Sequence, residues 1–334
     1  MFRLPALLLL LASAAAPAAG LRFADAHLHY VDFFQETEGM DALFEAMDAA
    51  RVDEAVLMGV PVAKKWDEDE PKRPRYYEGD DAPLYWYSAT DALLAEAVRA
   101  LPPARRARLH PFLSGFNPND KNADAHVARM LDLYPDVFVG IGEVFTRHDT
   151  LTALTQGRTP RIDSEAMQRV YRLAAERGLP VLVHANLTSV REREPLYLGE
   201  VEAALAAHPR TTFIWAHAGT SAAINRRQGE MPYLLPVLRR LMDAHDNLVI
   251  DLSWSVLDHV LDDEGAPRPE WLELVQAHPR RFVLGSDVVG RFGSLGDKFE
   301  AFAPLLDALP PDVARGLARD NLRALLARGA PAGD

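Results

Sequence analysis

The sequence contains no cysteine among its 334 residues. It therefore offers neither a disulfide framework nor a thiolate metal site. Any metal site in this chain has to use nitrogen and oxygen ligands.

Long apolar runs are missing after the first twenty residues. Arg3 precedes the apolar run Leu4 to Ala12, and the small residues from Ser13 to Gly20 include cleavage sites of the Ala-x-Ala type. This pattern is typical of a secretory signal peptide and is too short for a transmembrane helix. We expect residues 1–20 to be removed and residues 21–334 to form a periplasmic or secreted protein. Without a cysteine after the leader, no lipid membrane anchor is expected.

Basic residues are fewer than acidic ones. The whole chain has 36 lysines and arginines against 48 aspartates and glutamates, and the leader takes away only Arg3, so the mature chain carries a net charge of −13. An acidic surface argues against nucleic acid or an anionic membrane as partner. It is compatible with a small-molecule substrate held by local arginines, and with a homo-oligomer.

Apolar, β-rich runs alternate with segments of helical periodicity from Arg22 onward, which is typical of repeated βα units around a parallel sheet. Eight such runs predict an α/β protein with a (β/α)₈ TIM barrel, and no break in composition marks a second domain. A closing amphipathic helix is expected over the outside of the barrel at Asp312–Arg328. The predicted strands are Phe23–Tyr30, Glu54–Val60, Leu109–Phe116, Val137–Val144, Leu179–Ala185, Thr211–Ala218, Asn247–Ser253 and Arg281–Asp287.

The interval after the second strand, residues 61–87, is too long for an ordinary βα connection. A long insertion at this position emerges at the C-terminal face of a barrel, where such enzymes keep their active sites, so it predicts a lid or a specificity loop. Within it, the Tyr85-Trp86-Tyr87 cluster is a candidate ligand contact. The alternative is that these aromatic side chains only pack the loop down.

Several of the predicted strands end in a residue that can bind a metal ion. Alternation along a strand places His27 with His29, Glu143 with Val139 and Ile141, and His184 with Leu182. By the same rule, His217 shares a face with Phe213 and Trp215, and Asp287 shares one with Val283 and Gly285. Each mostly apolar row therefore ends in a polar side chain at the mouth of the barrel.

Nitrogen and oxygen ligands of this kind suit zinc first, with manganese and iron as alternatives. A divalent ion lowers the pKa of a water molecule, which makes a nucleophile available near neutral pH. Asp287 could then accept the proton of the attacking water and return it to the leaving group.

Taken as a set in this order, the residues resemble the metal-dependent amidohydrolase superfamily. The resemblance covers essentially the whole mature chain. The tail Arg319-Asp320-Asn321-Leu322-Arg323-Ala324-Leu325-Leu326 is similar to the closing helix of its amidohydrolase-related (amidohydrolase 2) branch. The other matching segments are Asp25-Ala26-His27-Leu28-His29, His184, Trp215-Ala216-His217-Ala218-Gly219 and Gly285-Ser286-Asp287.

The resemblance implies roles for these residues. His27, His29, His184 and Asp287 would be metal ligands, and His217 would either bind a second metal or polarise the scissile carbonyl. Glu143 stands where the best-known binuclear members carry a carboxylated lysine. It would either bridge two cations or stand beside a single metal as an acceptor.

Further residues just past strand ends are candidates for substrate binding. Arg147, Arg191 and Arg291 could each hold a carboxylate or phosphate as a bidentate clamp, and His148 and Trp86 could line the site. The alternative for the arginines is an ordinary surface ion pair with Glu192, Glu194 or Asp149.

The sequence therefore predicts a metal-dependent hydrolase that uses activated water to attack the carbonyl of an amide, a lactone or another ester. The alternatives are a mononuclear, non-oxidative decarboxylase, a phosphoester hydrolase, and a catalytically silent metal- or ligand-binding barrel. This barrel hosts many reactions, so the fold alone does not choose among them.

Overall fold

A computed structural model describes residues 20–65, 83–86, 89–155 and 157–329. The predicted signal peptide lies outside these residues, apart from Gly20. So do Tyr87 and residues 66–82 of the insertion. Among the described helices, none combines the length and the apolar character that crossing a membrane requires.

Nine parallel strands form one sheet in the order β10-β9-β8-β7-β6-β5-β2-β1-β11. Their bounds are β1 Phe23–Val31, β2 Val52–Gly59, β5 Leu109–Leu113, β6 Gly140–Thr146, β7 Val181–Ala185, β8 Phe213–Trp215, β9 Leu248–Asp251, β10 Phe282–Val283 and β11 Val288–Val289. β10 pairs with β9 and β11 pairs with β1, so the short segment 282–289 connects the two ends of the sheet. The predicted α/β barrel is confirmed.

Helices surround the sheet. Their bounds are α1 Met40–Ala49, α2 Ala89–Arg99, α3 Pro103–Arg106, α4 Ala123–Leu133, α5 Leu151–Leu154, α6 Glu165–Arg177, α7 Leu198–Ala207, α8 Ala222–Gln228, α9 Leu234–Ala244, α10 Leu257–Val260, α11 Pro269–Ala277, α12 Leu295–Glu300, α13 Ala303–Ala308, α14 Pro311–Arg315 and α15 Asn321–Gly329. α6 shows the local causes: the Ser164 hydroxyl caps its first turn, and Gly178 ends it in the left-handed conformation. Its buried face, including Val170 and Tyr171, packs into the large core between the helices and the sheet.

A second, smaller core fills the interior of the barrel. It contains Ala24, Ala26, Val56, Met58, Phe112, Leu182, Ile214, Ala216, Val249 and Val283. Leu322 and Leu325 of α15 belong to this inner core as well. The predicted closing helix is thus divided into α14, a π-helical turn at Gly316–Asp320, and α15. Leu322 and Leu325 pack into the barrel interior with Ala24 and Ala26 of β1, whereas Leu317 packs into the outer core.

Two irregular strands determine which residues point inward. The register of β6 against β7 shifts between Ile141 and Val144, and both of these side chains lie in the outer core. β8 ends at Trp215, and the following turn Ala216–Gly219 has positive φ values at His217 (53°) and Ala218 (51°). The expected inward faces of Ile141, Phe213 and Trp215 are therefore wrong, because the register shift in β6 and the turn after β8 break the alternation between these residues and Glu143 or His217. It is confirmed for Leu182 and Val283, which lie in the inner core.

The insertion after β2 begins and ends in an antiparallel pair of strands, β3 Val62–Lys64 and β4 Leu84–Trp86. Val62 and Leu84 are buried in a third apolar cluster with Phe33, Val60, Phe145 and Leu151, and Trp86 packs against it. The insertion is therefore anchored beside the carboxyl ends of β1, β2 and β6.

Candidate metal centre

Six side chains predicted as metal ligands come together at the C-terminal mouth of the barrel. They are His27 and His29 on β1, Glu143 on β6, His184 on β7, His217 in the turn after β8, and Asp287 between β10 and β11. The side chain of Asp287 is 15% exposed, whereas those of the other five are at most 2% exposed. Asp287 is therefore the member of the cluster that faces solvent.

The first group of ligand atoms surrounds one point. Nε2 of His27 lies 3.2 Å from Nε2 of His29, and Glu143 Oε2 lies 3.2 Å and 3.1 Å from these two nitrogens. Asp287 Oδ1 lies 3.5 Å from both. Ligands at about 2.0–2.1 Å from a tetrahedral ion are about 3.3 Å from one another. The spacing of these four atoms therefore fits a single divalent cation.

The second group uses the other oxygen of the same glutamate. Glu143 Oε1 lies 3.1 Å from Nδ1 of His184 and 3.6 Å from Nε2 of His217. Asp287 Oδ2 is 3.8 Å from the same His217 nitrogen. Glu143 thus lies between two pairs of histidines, with one carboxylate oxygen directed to each pair.

The electrostatics of the cluster also fit a cation. Burial opposes charge on His27, but the carboxylates of Glu143 and Asp287 raise its pKa well above the ordinary value. Burial likewise opposes ionisation of Glu143, and His27 and the other imidazoles lower its pKa well below the ordinary value. The two buried carboxylates thus need positive charge between them, which a proton supplies in part and a divalent cation supplies more fully.

The orientation of His184 is set by residues that the sequence analysis missed. Nε2 of His184 lies 2.9 Å from the Asn186 amide oxygen, and the Asn186 amide nitrogen donates to Asp149 at 2.6 Å. Ser221 donates to the other Asp149 oxygen. Because Asn186 must present its oxygen to the ring, His184 donates from Nε2, which leaves Nδ1 as the nitrogen that would bind a cation beside Glu143.

The orientation of His27 and His217 depends on two further residues that the sequence did not indicate, Asp251 at the end of β9 and Ser253 just after it. Asp251 Oδ2 accepts from Nδ1 of His27 at 2.8 Å and from the Ser253 hydroxyl at 2.5 Å. Ser253 Oγ also lies 2.8 Å from Nδ1 of His217. The available signal was Asp251 itself, since a carboxylate within the apolar strand Leu248–Asp251 is costly unless it has a partner.

A small cavity of about 80 Å³ opens at the cluster. Besides the ligands, it is lined by Phe33, Val60, Phe145, His148, Leu151, Trp254 and Val289, and no described residue of this lining is an arginine or lysine. Trp254 was not predicted; its ring lies edge-on to His217 with centroids 5.0 Å apart. The cavity is therefore walled mainly by apolar and aromatic groups, and it admits the reacting group of a substrate rather than a whole molecule.

His148 is the predicted substrate contact that lines this cavity. Its ring stacks on His184 with centroids 4.4 Å apart, and its Nδ1 accepts from the backbone N–H of Leu151 at 3.2 Å. Burial, followed by the neighbouring His184, lowers its pKa well below the ordinary value. His148 is thus a neutral imidazole with its proton on Nε2.

The structure places the other predicted substrate contacts outside the lining of this cavity. Arg147 donates from Nε to Glu200 at 3.0 Å and stacks on the Tyr197 ring at 4.1 Å. Arg191 is exposed, and Arg291 is exposed beside a separate pocket that Asp32 also lines. Trp86 packs beside Phe33 and Phe145, behind the cavity wall. Their roles stay predictions.

Comparisons with known proteins bear on the family and the fold. A search of curated proteins found no significant match. Among solved structures, 2,6-dihydroxybenzoate decarboxylase from Rhizobium is similar with a TM-score of 0.56 at 13% identity, covering 93% of this chain and 100% of that one. 5-Carboxyvanillate decarboxylase from Novosphingobium aromaticivorans, solved with manganese, has a TM-score of 0.51 at 13% identity, covering 93% and 97%. A protein assigned as a 2-pyrone-4,6-dicarboxylic acid hydrolase from Pseudomonas putida has a TM-score of 0.52 at 15% identity, covering 93% and 99%.

At these identities the solved structures show a shared fold. The sequence itself matches the family model described as Amidohydrolase over residues 11–328, which is nearly its whole length. The expected resemblance is confirmed, and the chain belongs to the amidohydrolase family.

Proposed function

We propose that this protein is a periplasmic or secreted metal-dependent hydrolase that attacks the carbonyl carbon of a small lactone, ester or amide. The observation that carries the proposal is the position of Glu143. Its two oxygens each lie 3.1 Å from a histidine nitrogen on opposite sides, His29 and His184. A carboxylate in this position can bridge two cations, with His27 and His29 on one side and His184 and His217 on the other.

The chain's own residues supply the rest of the chemistry. A bound divalent cation, zinc first, would polarise the carbonyl and lower the pKa of a water molecule. Asp287 reaches both ligand groups and is the most exposed member of the cluster. Burial opposes its ionisation, but His27 and the other nearby histidines lower its pKa, so it is a carboxylate that can accept a proton. It would return this proton to the leaving group.

The lining of the cavity bears on the substrate class. An anionic substrate is usually held by an arginine or lysine close to the reacting atoms. The described residues around the cavity include neither, and Arg147, one of the predicted clamps, pairs with Glu200. This supports a substrate that is uncharged near its carbonyl.

The second candidate is non-oxidative decarboxylation of an aromatic acid. It is supported by the similarity to the two decarboxylase structures and by the first ligand group, which is sufficient for one ion. It requires the substrate carboxylate to sit at the metal without an arginine from the described lining.

The test is a substrate panel measured with the zinc-loaded mature protein. The panel contains a lactone, an aryl ester, an amide, an ortho-hydroxybenzoic acid and a phosphoester. The proposal expects turnover of at least one of the first three, its loss on chelation and its recovery on adding zinc. Release of CO₂ from the acid alone would replace the proposal with the second candidate, and phosphoester cleavage alone would replace it with phosphatase chemistry.

A further inference from the structure

Asp251 and Ser253 connect two histidines that lie on opposite sides of Glu143. His27 lies on β1 and His217 follows β8, two strands that are not neighbours in the sheet, yet their rings stack with centroids 5.0 Å apart. Below this stack, Asp251 contacts His27 and Ser253 contacts His217. All four side chains are buried.

The direction of each hydrogen bond follows from the number of protons available. The Asp251 carboxylate has none, so at Oδ2 it accepts from His27 and from the Ser253 hydroxyl. Ser253 has a single proton, which it gives to Asp251 at 2.5 Å. Its oxygen is therefore an acceptor toward Nδ1 of His217, 2.8 Å away.

The consequence is the same for both rings. A neutral imidazole that donates from Nδ1 has a free lone pair on Nε2. Nε2 of His27 lies 3.2 Å from one oxygen of Glu143, and Nε2 of His217 lies 3.6 Å from the other. Once a cation has displaced the proton that the carboxylates hold on His27, both lone pairs would face the two candidate cation positions.

Gly285 supports the close packing of this group. A Cβ atom at this position would lie 2.6 Å from Cβ of His27, 2.9 Å from Oδ1 of Asp251 and 3.0 Å from Cβ of Ser253. A side chain here would displace the hydrogen-bonded chain, which therefore depends on the glycine of the Gly285-Ser286-Asp287 segment.

We infer that Asp251 and Ser253 are positioning residues, whose hydrogen bonds to Nδ1 orient His27 and His217 so that Nε2 of each ring faces a candidate cation position. The inference rests on the proposed two-cation site.

The test measures zinc binding by the mature protein and by Ser253→Ala. The matched control is Ser255→Ala, which removes another buried hydroxyl two residues further along the chain. The Ser255 hydroxyl oxygen has no hydrogen-bond partner among the described residues. The wild type and Ser255→Ala should each hold about two zinc ions. Ser253→Ala should keep one and bind the second about 10–100-fold more weakly, as expected when a hydrogen bond that orients a ligand is lost. Equal zinc affinity in all three proteins would overturn the inference.

A spectroscopic measurement reads the tautomer directly. In zinc-loaded protein labelled with ¹⁵N-histidine, long-range ¹H–¹⁵N spectra should show His217 with its proton on Nδ1 and zinc on Nε2. The His217 signals are identified from their absence in His217→Gln. A proton on Nε2 of His217 would overturn the inference even if the enzyme hydrolyses lactones. Conversely, the expected zinc pattern in a protein that turns over no ester, lactone or amide would refute the proposed hydrolysis and leave this inference standing.

Discussion

The Glu143 carboxylate lies between His29 and His184, 3.1 Å from a nitrogen of each. The residue thereby joins β1 to β7 across the mouth of the barrel, and in the proposed two-cation site it would serve both positions. Four consequences of the structure can be measured.

Glu143→Gln should remove the bridge without changing the size of the side chain. An amide has one oxygen, so it cannot serve both ligand groups with negative charge. We expect zinc content to fall from about two equivalents to one or fewer and kcat/KM to fall at least about 100-fold, which corresponds to about 2.7 kcal/mol. Elemental analysis and initial rates measure both. Glu200→Gln is the control: it removes a carboxylate that pairs with Arg147 and is not among the candidate ligands, so this variant should keep its zinc. Two equivalents retained in Glu143→Gln would argue against a bridge.

Asn186→Leu should weaken zinc binding through the orientation of His184. The variant removes the amide that receives Nε2–H of His184 and that is itself held by Asp149. We expect an affinity about 10–100-fold lower, measured by competition with a chelator. Asn225→Leu is the matched control, since Asn225 contacts Nε2 of His259 and the Asp258 carboxylate in the same way, away from the cluster. Both variants should lose stability, but a similar loss of zinc affinity in both would contradict the prediction.

Leu322→Ala should lower the free energy of unfolding, although Leu322 is not one of the candidate metal ligands. Leu322 is buried in the inner core, so the substitution leaves a cavity there, and we expect a loss of about 2–5 kcal/mol in the free energy of unfolding. Denaturant unfolding of the zinc-free protein measures this loss. Leu326→Ala, at a half-buried position of the same helix, should cost less. Equal costs for the two variants would mean that α15 does not fill the barrel.

Asp91 should make stability fall as pH rises. Burial raises its pKa from 3.8 to about 7, although the backbone N–H groups of Ser114 and Gly115 partly offset this. Between these pH values the folded state keeps a proton that the unfolded state has lost, so the free energy of unfolding decreases with pH.

The measurement compares the wild type with Asp91→Asn in chelator at pH 5 and pH 8, because groups distant from Asp91 contribute equally to both proteins. Within this window the loss occurs between pH 5 and about 7, so at 1.36 kcal/mol for each pH unit the wild type should lose about 3 kcal/mol relative to the variant. A stability difference that does not change with pH would show that Asp91 is ionised in the folded state at both values.

The sequence allowed the barrel and the six clustered side chains to be predicted, because apolar runs mark the strands and parallel strands place their carboxyl ends together. Alternation along β7 correctly placed Leu182 and His184 inward. It failed on β6, where a register shift interrupts the alternation, and after β8, where the positive φ of His217 changes the direction of its side chain. These backbone details depend on tertiary packing, so no local sequence pattern predicts them.

The residues that orient the histidines were harder to find. Asn186 is a common polar residue in a loop, and its importance follows only from its contact with His184. Ser253 ends a predicted strand without a recognisable motif. The arginines proposed as clamps stand at strand ends as expected, but Arg147 is engaged by Glu200, a helical residue more than fifty positions away. Sequence spacing gives no information about such distant partners.

The paired strands β3 and β4 give the insertion a property useful to an engineer. Val62 pairs with Trp86 and Lys64 with Leu84, so the chain leaves and re-enters the barrel at two neighbouring points. The apolar side chains of this stem are buried against Phe33 and Phe145, and none of the six metal-binding candidates lies within it. Lys65 and Pro83 are neighbours, because the Lys65 N–H donates to the Pro83 carbonyl at 3.2 Å, so a connection of different sequence could be grafted between them without rebuilding the metal site.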